Sequence, residues 1–238
     1  MTKFFILIVF LKITFFACGQ DCKELLRNSF HWQNAIQAPT KGVVYYLDMT
    51  YTFNFWGKSQ NQTIINTKIC LADNFYLLES EMHLVYSDNE NFFLVDLNNR
   101  TIIKRPSVKD VKPQEGFEEQ ILGLQQNLIE RGRMTSCLDT LINEEQQRFI
   151  SIIPENEVTD NMMVSKVSYF ISSSNTPVLK KVIILYKPTH NVKTLVASYN
   201  SINLNYQDLK SDKAIDYIYD SNGKLKSRFR NYRIVEDN

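Results

Sequence analysis

The sequence is poor in glycine, in net charge and in catalytic motifs. Glycine occurs only 7 times in 238 residues, which favours turns built on Asn, Asp and Ser over glycine-rich loops. The formal net charge of +1 gives no electrostatic reason to expect a nucleic acid as partner. The 3 histidines belong to no HExxH zinc motif and to no serine nucleophile elbow. We therefore predict a protein that is not an enzyme, with no catalytic residue, no metal ligand and no cofactor.

The residue types that are abundant indicate a folded, strand-rich chain. Hydrophobic residues make up 44% and charged residues 22% of the sequence, which is typical of a globular protein and not of a disordered one. Aromatic residues reach 12%, and they are enriched in β-strands. A chain of this length can bury a sizeable core within one domain.

The first twenty residues have the features of an export signal. The basic residue Lys3 lies near their start, and a short apolar run follows that ends in small residues. Cleavage before Cys18 would leave a lipidated thiol that anchors the protein to a membrane. Cleavage after Gly19 would instead give an ordinary secreted protein. We predict a signal peptide over residues 1–17 and one domain over residues 18–238.

Three further cysteines follow the apolar run, at Cys22, Cys70 and Cys137. An exported protein meets an oxidising compartment, so one pair could form a disulfide. Cys70 and Cys137 are the favoured pair because both fall in or beside predicted structured segments. Buried free thiols are the alternative that the sequence leaves open.

A long strand with one apolar face is predicted from Val43 to Phe55. Large apolar residues alternate there with polar ones, and this period of two is that of a strand with one buried face. At about 3.3 Å per residue the strand would run about 40 Å, which is typical of a strongly curved sheet. The odd-numbered residues that form the apolar face are Val43, Tyr45, Leu47, Met49, Tyr51, Phe53 and Phe55.

The remaining pattern predicts helices and antiparallel hairpins. An N-terminal helix is expected over residues 22–37 and a central helix over 115–132, where Gly132 would form its C′ cap. A second short helix is possible around Asp139–Gln147. Strands are predicted over residues 62–71, 74–80, 82–87, 91–97, 100–105, 147–153, 163–172, 178–187 and 192–206, followed by a last hairpin around residues 221–223.

Residues 84–102, LVYSDNENFFLVDLNNRTI, carry a family resemblance. They are similar to the strand, Ser-Asp-Gly turn and aromatic strand of the LolA/LolB-like superfamily, the outer-membrane lipoprotein carriers of bacterial envelopes. Ser87 and Asp88 match the turn, whereas Asn89 stands where glycine is usual. The order of elements along most of the mature chain resembles the same superfamily.

This resemblance implies an α+β fold in which helices pack on the concave face of a curved antiparallel sheet, a half-barrel of about 10–12 strands. It also implies an envelope location in a Gram-negative bacterium, in the periplasm or at the outer membrane, with an acyl chain bound between sheet and helices. One departure is that residues 43–56 lack the Arg with which the carriers hold their helical lid. The side chains expected to contact such a ligand are Tyr45, Leu47, Met49, Tyr51, Phe53, Phe55, Phe117, Ile121, Leu124 and Leu128.

An alternative function uses the same fold without a ligand. In that case the apolar face is plain core, and the protein docks another envelope component whose identity is unknown. The docking surface would be a sheet edge or a basic last strand that presents Lys224, Lys226, Arg228 and Arg230 on one face.

Overall fold

The structure is a computed structural model that describes residues 21–30, 40–57, 62–107, 128–155, 163–173 and 177–237. The predicted signal peptide, Cys18 and the central helix before residue 128 lie outside the described residues. None of the helices within these ranges is both long enough and apolar enough to cross a membrane.

Twelve strands form one sheet in the order β12-β6-β5-β4-β3-β2-β1-β11-β10-β9-β8-β7. The pairing is mostly antiparallel, and β12 runs parallel to β6. The predicted α+β class is therefore confirmed. The strands are β1 Tyr45–Phe55, β2 Gln62–Ala72, β3 Phe75–Ser80, β4 His83–Asp88, β5 Asn91–Asp96, β6 Thr101–Pro106, β7 Arg133–Ile142, β8 Glu145–Ile153, β9 Val164–Ser172, β10 Leu179–Tyr186, β11 Val192–Asn203 and β12 Arg233–Glu236.

Helical residues are few in the described part of the chain. They comprise α1 at residues 21–29, α2 at residues 128–131, α3 at Ile215–Ile218 and a 3₁₀ turn at Ser227–Phe229. By its internal contacts the chain divides into two compact units. The first unit contains residues 1–31, 53–62 and 121–197, and the second contains residues 32–52, 63–120 and 198–238. The single domain over residues 18–238 stays a prediction.

In the first unit, α1 is joined to the sheet by a disulfide. Cys22, Leu26 and Phe30 recur every four residues and are buried, as expected for the apolar stripe of a helix. Cys22 is bonded to Cys137 of β7, and the ring of Phe30 meets Tyr169 of β9 edge-on at 5.8 Å. The stripe of α1 thus covers one face of β7 and β9.

The predicted Cys70–Cys137 disulfide is wrong. Cys70 lies on β2 in the second unit, where it is a free buried thiol among apolar side chains. Cys137 is bonded to Cys22, which the sequence analysis left without a partner. The reason is that Cys22 stands on the buried face of α1, and the four-residue spacing to Leu26 and Phe30 already places it there.

The prediction of a short helix around Asp139–Gln147 is also wrong, because β7 and β8 form a hairpin there. Its two turn residues are Asn143 and Glu144, with φ of 51° and 66°. Two consecutive residues at positive φ are typical of the type I′ turn that joins antiparallel strands. Glutamate is uncommon in this conformation, so residue type alone did not reveal the turn.

Gly132 follows α2 for a reason other than the predicted C′ cap. Its φ is not positive, and its N–H donates to the Leu128 oxygen at 2.9 Å. A Cβ atom at this position would lie 2.3 Å from Cγ2 of Ile152. Glycine is therefore required by the close approach of the chain to β8.

The second unit has apolar clusters on both faces of its strands. Strand β3 shows this best, since Phe75 and Leu77 point into one cluster and Tyr76 points into the other. The first cluster is covered by residues 206–232, which we call the C-terminal cover. Alternation along β1 divides its residues in the same way, with Leu47 in one cluster and Tyr46 packed against the other.

Candidate apolar binding face

The predicted ligand-contacting residues fall into three groups. Leu47 and Met49 are buried and Tyr51 is half-buried in one cluster of the second unit, together with Ile69 and Tyr76. Tyr45 is buried, and its hydroxyl donates to Thr40 Oγ1 at 3.4 Å. The other predicted residues belong to the first unit or lie outside the described residues: Phe53 and Phe55 are half-buried on β1, Leu128 is buried in α2, and Phe117, Ile121 and Leu124 are not described.

The same cluster opens into a surface that the sequence analysis missed. Directly paired residues from six neighbouring strands place one apolar side chain each on this face. Side chains opposite each other in neighbouring strands point to the same face and touch. We call this set the apolar row, and its members are Ile69, Leu78, Val85, Leu94, Ile103 and Val235.

Exposure rises along the apolar row. Ile69 is 5% exposed, the middle members are half-buried, and Val235 is 36% exposed. With neighbouring strands about 4.8 Å apart, five intervals span about 24 Å. The row is therefore a long, narrow apolar strip that is partly open along most of its length.

An aromatic ring and a cation flank the apolar row. Phe92 and Arg105 are paired across β5 and β6, two residues further along the strands and on the same face as Leu94 and Ile103. The guanidinium of Arg105 lies 4.1 Å from the centre of the Phe92 ring, which is a cation–π geometry. Among the described residues, Arg105 has no carboxylate within ion-pair distance. Its charge can therefore be offered to an anionic group beside the row.

The opposite face of the second unit is sealed by stacked aromatic rings. Tyr217 of the C-terminal cover stacks on Tyr86 at 4.8 Å and on Phe75 at 5.6 Å. The Tyr86 hydroxyl donates to Glu79 Oε1 at 2.8 Å and accepts from Arg228 Nη2 at 3.1 Å. Burial and the Glu79 carboxylate raise the pKa of Tyr86 against the opposing effect of Arg228. The arrangement keeps this hydroxyl protonated and structural.

Asp88, in the turn that resembles the superfamily, holds the C-terminal cover in place. Its Oδ1 accepts hydrogen bonds from the N–H groups of Glu90 and Asn91 at 2.8 and 2.7 Å. Its Oδ2 accepts a third from the N–H of Ala214 at 2.7 Å. One carboxylate thus fixes both the β4–β5 turn and the residue that precedes α3. Its role is structural, and residue spacing along the chain gave no sign of the contact with Ala214.

The predicted basic face of a last strand is wrong. Residues 221–223 do form a turn, closed by the single bridge between Tyr219 and Leu225. The chain then passes into the 3₁₀ turn, so Lys224, Lys226, Arg228 and Arg230 share no strand face. Arg228 is turned toward Tyr86 instead.

Within the described ranges, no group of three His, Cys, Asp or Glu side chains is arranged to hold a metal ion. The ring nitrogen Nδ1 of His190 contacts only its own turn among the hydrogen bonds of the described residues, at 3.0 Å from the nitrogen and 3.1 Å from the oxygen of Val192. What the second unit offers is a partly exposed apolar surface, and removing such a surface from water is favourable.

Comparison with known proteins finds similar solved structures but no similar sequence. No protein-family model matches it, and no curated protein matches it significantly in sequence. Similar solved structures include LprF from Mycobacterium bovis, with a TM-score of 0.42, 6% identity and coverage of 80% of this chain and 97% of that one. An uncharacterized conserved protein from Thermus thermophilus has a TM-score of 0.40 and 6% identity, covering 91% and 99%.

A LolA superfamily protein from Nitrosomonas europaea has a TM-score of 0.31 and 10% identity, covering 84% of this chain and 97% of that chain. It is a member of the superfamily that residues 84–102 resemble. With identities this low and TM-scores below 0.5, these similarities carry no argument about function.

Proposed function

We propose that this chain is an exported, lipid-anchored envelope protein without enzymatic activity, and that the apolar row binds an acyl chain or a similar apolar ligand. The observation that carries the proposal is the row itself, six apolar side chains in direct register across six strands. A strip of this length and width suits an extended hydrocarbon chain better than a compact molecule.

The physical basis of binding would be desolvation. Burying apolar surface stabilises a complex by about 25 cal/mol per Å², and Val85, Leu94 and Ile103 are half-buried, so each still has surface to bury. The row itself consists of apolar side chains alone, which favours broad specificity among apolar ligands. An anionic end of the ligand would be placed beside Arg105.

The proposed location rests on two features of the chain. The first is the signal-like N-terminus with Cys18 as the acceptor of a lipid anchor. The second is the disulfide between Cys22 and Cys137, since such bonds persist in oxidising compartments such as the periplasm. The membrane is then a partner through the anchor, and the envelope of a Gram-negative bacterium is the proposed location.

Native mass spectrometry of the protein expressed from its full coding sequence and purified from membranes tests the proposal. We expect co-purifying lipid, together with a covalent diacyl mass at Cys18. Leu94→Glu should reduce the lipid-bound fraction at least tenfold, because a carboxylate in the middle of the row is costly to desolvate. Ile64→Glu is the matched control, since Ile64 is an exposed β2 residue outside the row, and it should retain the lipid.

Thermal unfolding of both variants shows whether a loss of lipid is a loss of folding. The ligand proposal fails if the wild type carries no lipid, or if Leu94→Glu retains it while remaining folded. The former result would favour the interaction protein with a filled core. A mass that shows cleavage after Gly19 and no acyl group would rule out the lipid anchor. The same two variants would still test whether the apolar row binds a ligand.

A further inference from the structure

The two edges of the sheet differ in how they are protected against pairing. Strand β12 has four residues, two of which are the charged Arg233 and Glu236, and Glu236 forms an ion pair with Lys104 at 3.3 Å. Strand β7 has ten residues and, among the described strands, β8 alone beside it. Natural proteins shorten or charge their edge strands to prevent association. β12 has this protection and β7 does not.

Strand β7 also carries the two most exposed large hydrophobic side chains among the described residues. Leu141 is 69% exposed and Leu138 is 51% exposed. The only charged residues of the strand are Arg133, at its start, and Asp139. Asp139 is already held by Arg148 of β8, at 2.7 Å between Oδ1 and Nε. Among the described residues no strand pairs with the outer backbone groups of this edge, which lie next to apolar side chains with little charge to repel a partner.

An apolar surface extends from Leu138 into the sheet. Leu138 is paired with Phe149 of β8, and Phe149 is paired with Phe170 of β9. The two rings lie 5.1 Å apart and are both half-buried. These residues occupy the face opposite to Cys137 and its disulfide, since neighbouring residues of a strand point to opposite faces. A partner strand beside β7 would extend this apolar surface.

We propose that β7 pairs in antiparallel fashion with β7 of a second copy of this chain. A twofold axis perpendicular to the sheet produces such a pair, and it keeps the two faces of the sheet in register. Leu138 lies near the middle of the strand, so a pairing centred on it places Leu138 opposite Leu138 of the second copy. Ser136 then faces Thr140, and Cys137 faces Asp139, so no like charges meet.

This self-complementarity is why a second copy is the preferred occupant. An interface about a twofold axis must match itself, and a strand with a central leucine, flanking small polar residues and no like-charge contact does so. The pairing satisfies the outward backbone groups of β7 in the manner of strand addition. Because the axis closes the assembly at two copies, the exposed edge is removed without further growth.

Sedimentation velocity of the full-length expressed protein in density-matched detergent tests the proposal. We expect a dimer at micromolar concentration, and at least a tenfold increase in the dissociation constant for Leu138→Glu. Ile64→Glu again serves as the control, because Ile64 has a similar exposure of 49% on β2, and it should leave the dimer intact. A monomer at all concentrations, or a dimer that folded Leu138→Glu does not weaken, overturns the proposal.

Hydrogen exchange keeps the proposal testable if Leu138→Glu fails to fold. In the wild type, amides of residues 136–140 should become more protected as the protein concentration rises through the dimerisation range. Protection that does not change with concentration, or that appears only when cell extract is added, would show that a second copy does not occupy β7.

Discussion

The two compact units hold their outer elements by different means. In the first unit, α1 is joined to β7 by a covalent bond between Cys22 and Cys137. In the second, the C-terminal cover is held by stacked rings, buried apolar side chains and the hydrogen bond from the N–H of Ala214 to Asp88. Covalent closure acts in part by restricting the unfolded chain, whereas packing acts in the folded state alone. The two units should therefore respond differently to reduction, to loss of one carboxylate and to alkali.

The largest expected effect comes from removing the disulfide. Replacing both Cys22 and Cys137 by Ser should lower the free energy of unfolding by about 2–5 kcal/mol. Urea unfolding followed by circular dichroism, with and without a reducing agent, measures the change. Cys70→Ala is the matched control, because Cys70 is a free thiol. The stability of this variant should fall when the Cys22–Cys137 bond is reduced, as that of the wild type does. A disulfide-mapped peptide joining Cys70 to Cys137 would contradict this assignment.

Loss of the Asp88 carboxylate should have a smaller and more local effect. Asp88→Ala removes the acceptor of three backbone N–H groups, and an unsatisfied buried donor costs about 1–3 kcal/mol. Residues 206–232 should become sensitive to limited proteolysis while the first unit keeps its protection. Asp73→Ala, at an exposed turn between β2 and β3, is the control. Equal proteolysis of the two variants would show that Asp88 does not hold the C-terminal cover.

The smallest of the expected effects is a loss of stability of the second unit at alkaline pH. Burial, assisted by the Glu79 carboxylate, raises the pKa of the Cys70 thiol to about 11 from its ordinary value of 9.0. Because the folded pKa is above the unfolded one, the stability is fully present below pH 9 and is lost as the pH rises toward 11. We expect a loss of about 1–2 kcal/mol between about pH 8 and about pH 11.

Urea midpoints at several pH values test this expectation for the wild type and for Cys70→Ala. The variant should lose less stability than the wild type, although Tyr86, whose pKa is also raised by burial, keeps part of the dependence in both. Identical pH profiles would mean that the Cys70 thiol contributes nothing to the alkaline loss.

The sequence predicted the elements whose pattern is local. Alternation over Val43–Phe55 predicted β1, and the Asn and Asp turns predicted the hairpins from β2 to β6, because a period of two and a tight turn are set within a few residues. Strand β7 was missed because its Asn143-Glu144 turn depends on an uncommon backbone conformation. The sequence predicts a last hairpin around residues 221–223, whereas the turn there leads into a 3₁₀ turn, because the C-terminal cover packs against Tyr86.

The candidate site was only partly predictable for a related reason. Leu47, Met49 and Tyr51 were predicted from alternation alone and do lie in one cluster. The apolar row could not be predicted in this way, because its six members come from six strands and only the register between strands aligns them. A shift of one residue in any pair would turn that strand's apolar side chain to the other face.

The bond between Cys22 and Cys137 has a consequence for the order of events as the chain is made. Its two ends are separated by 115 positions, and synthesis delivers Cys70 well before Cys137. During that interval the first thiol that follows Cys22 in the chain is Cys70, which is the wrong partner. Early burial of Cys70 by folding of the β2–β5 meander would remove this competing thiol before Cys137 is synthesised. Formation of the correct disulfide would then depend on how early the meander folds, although the meander takes no part in the bond.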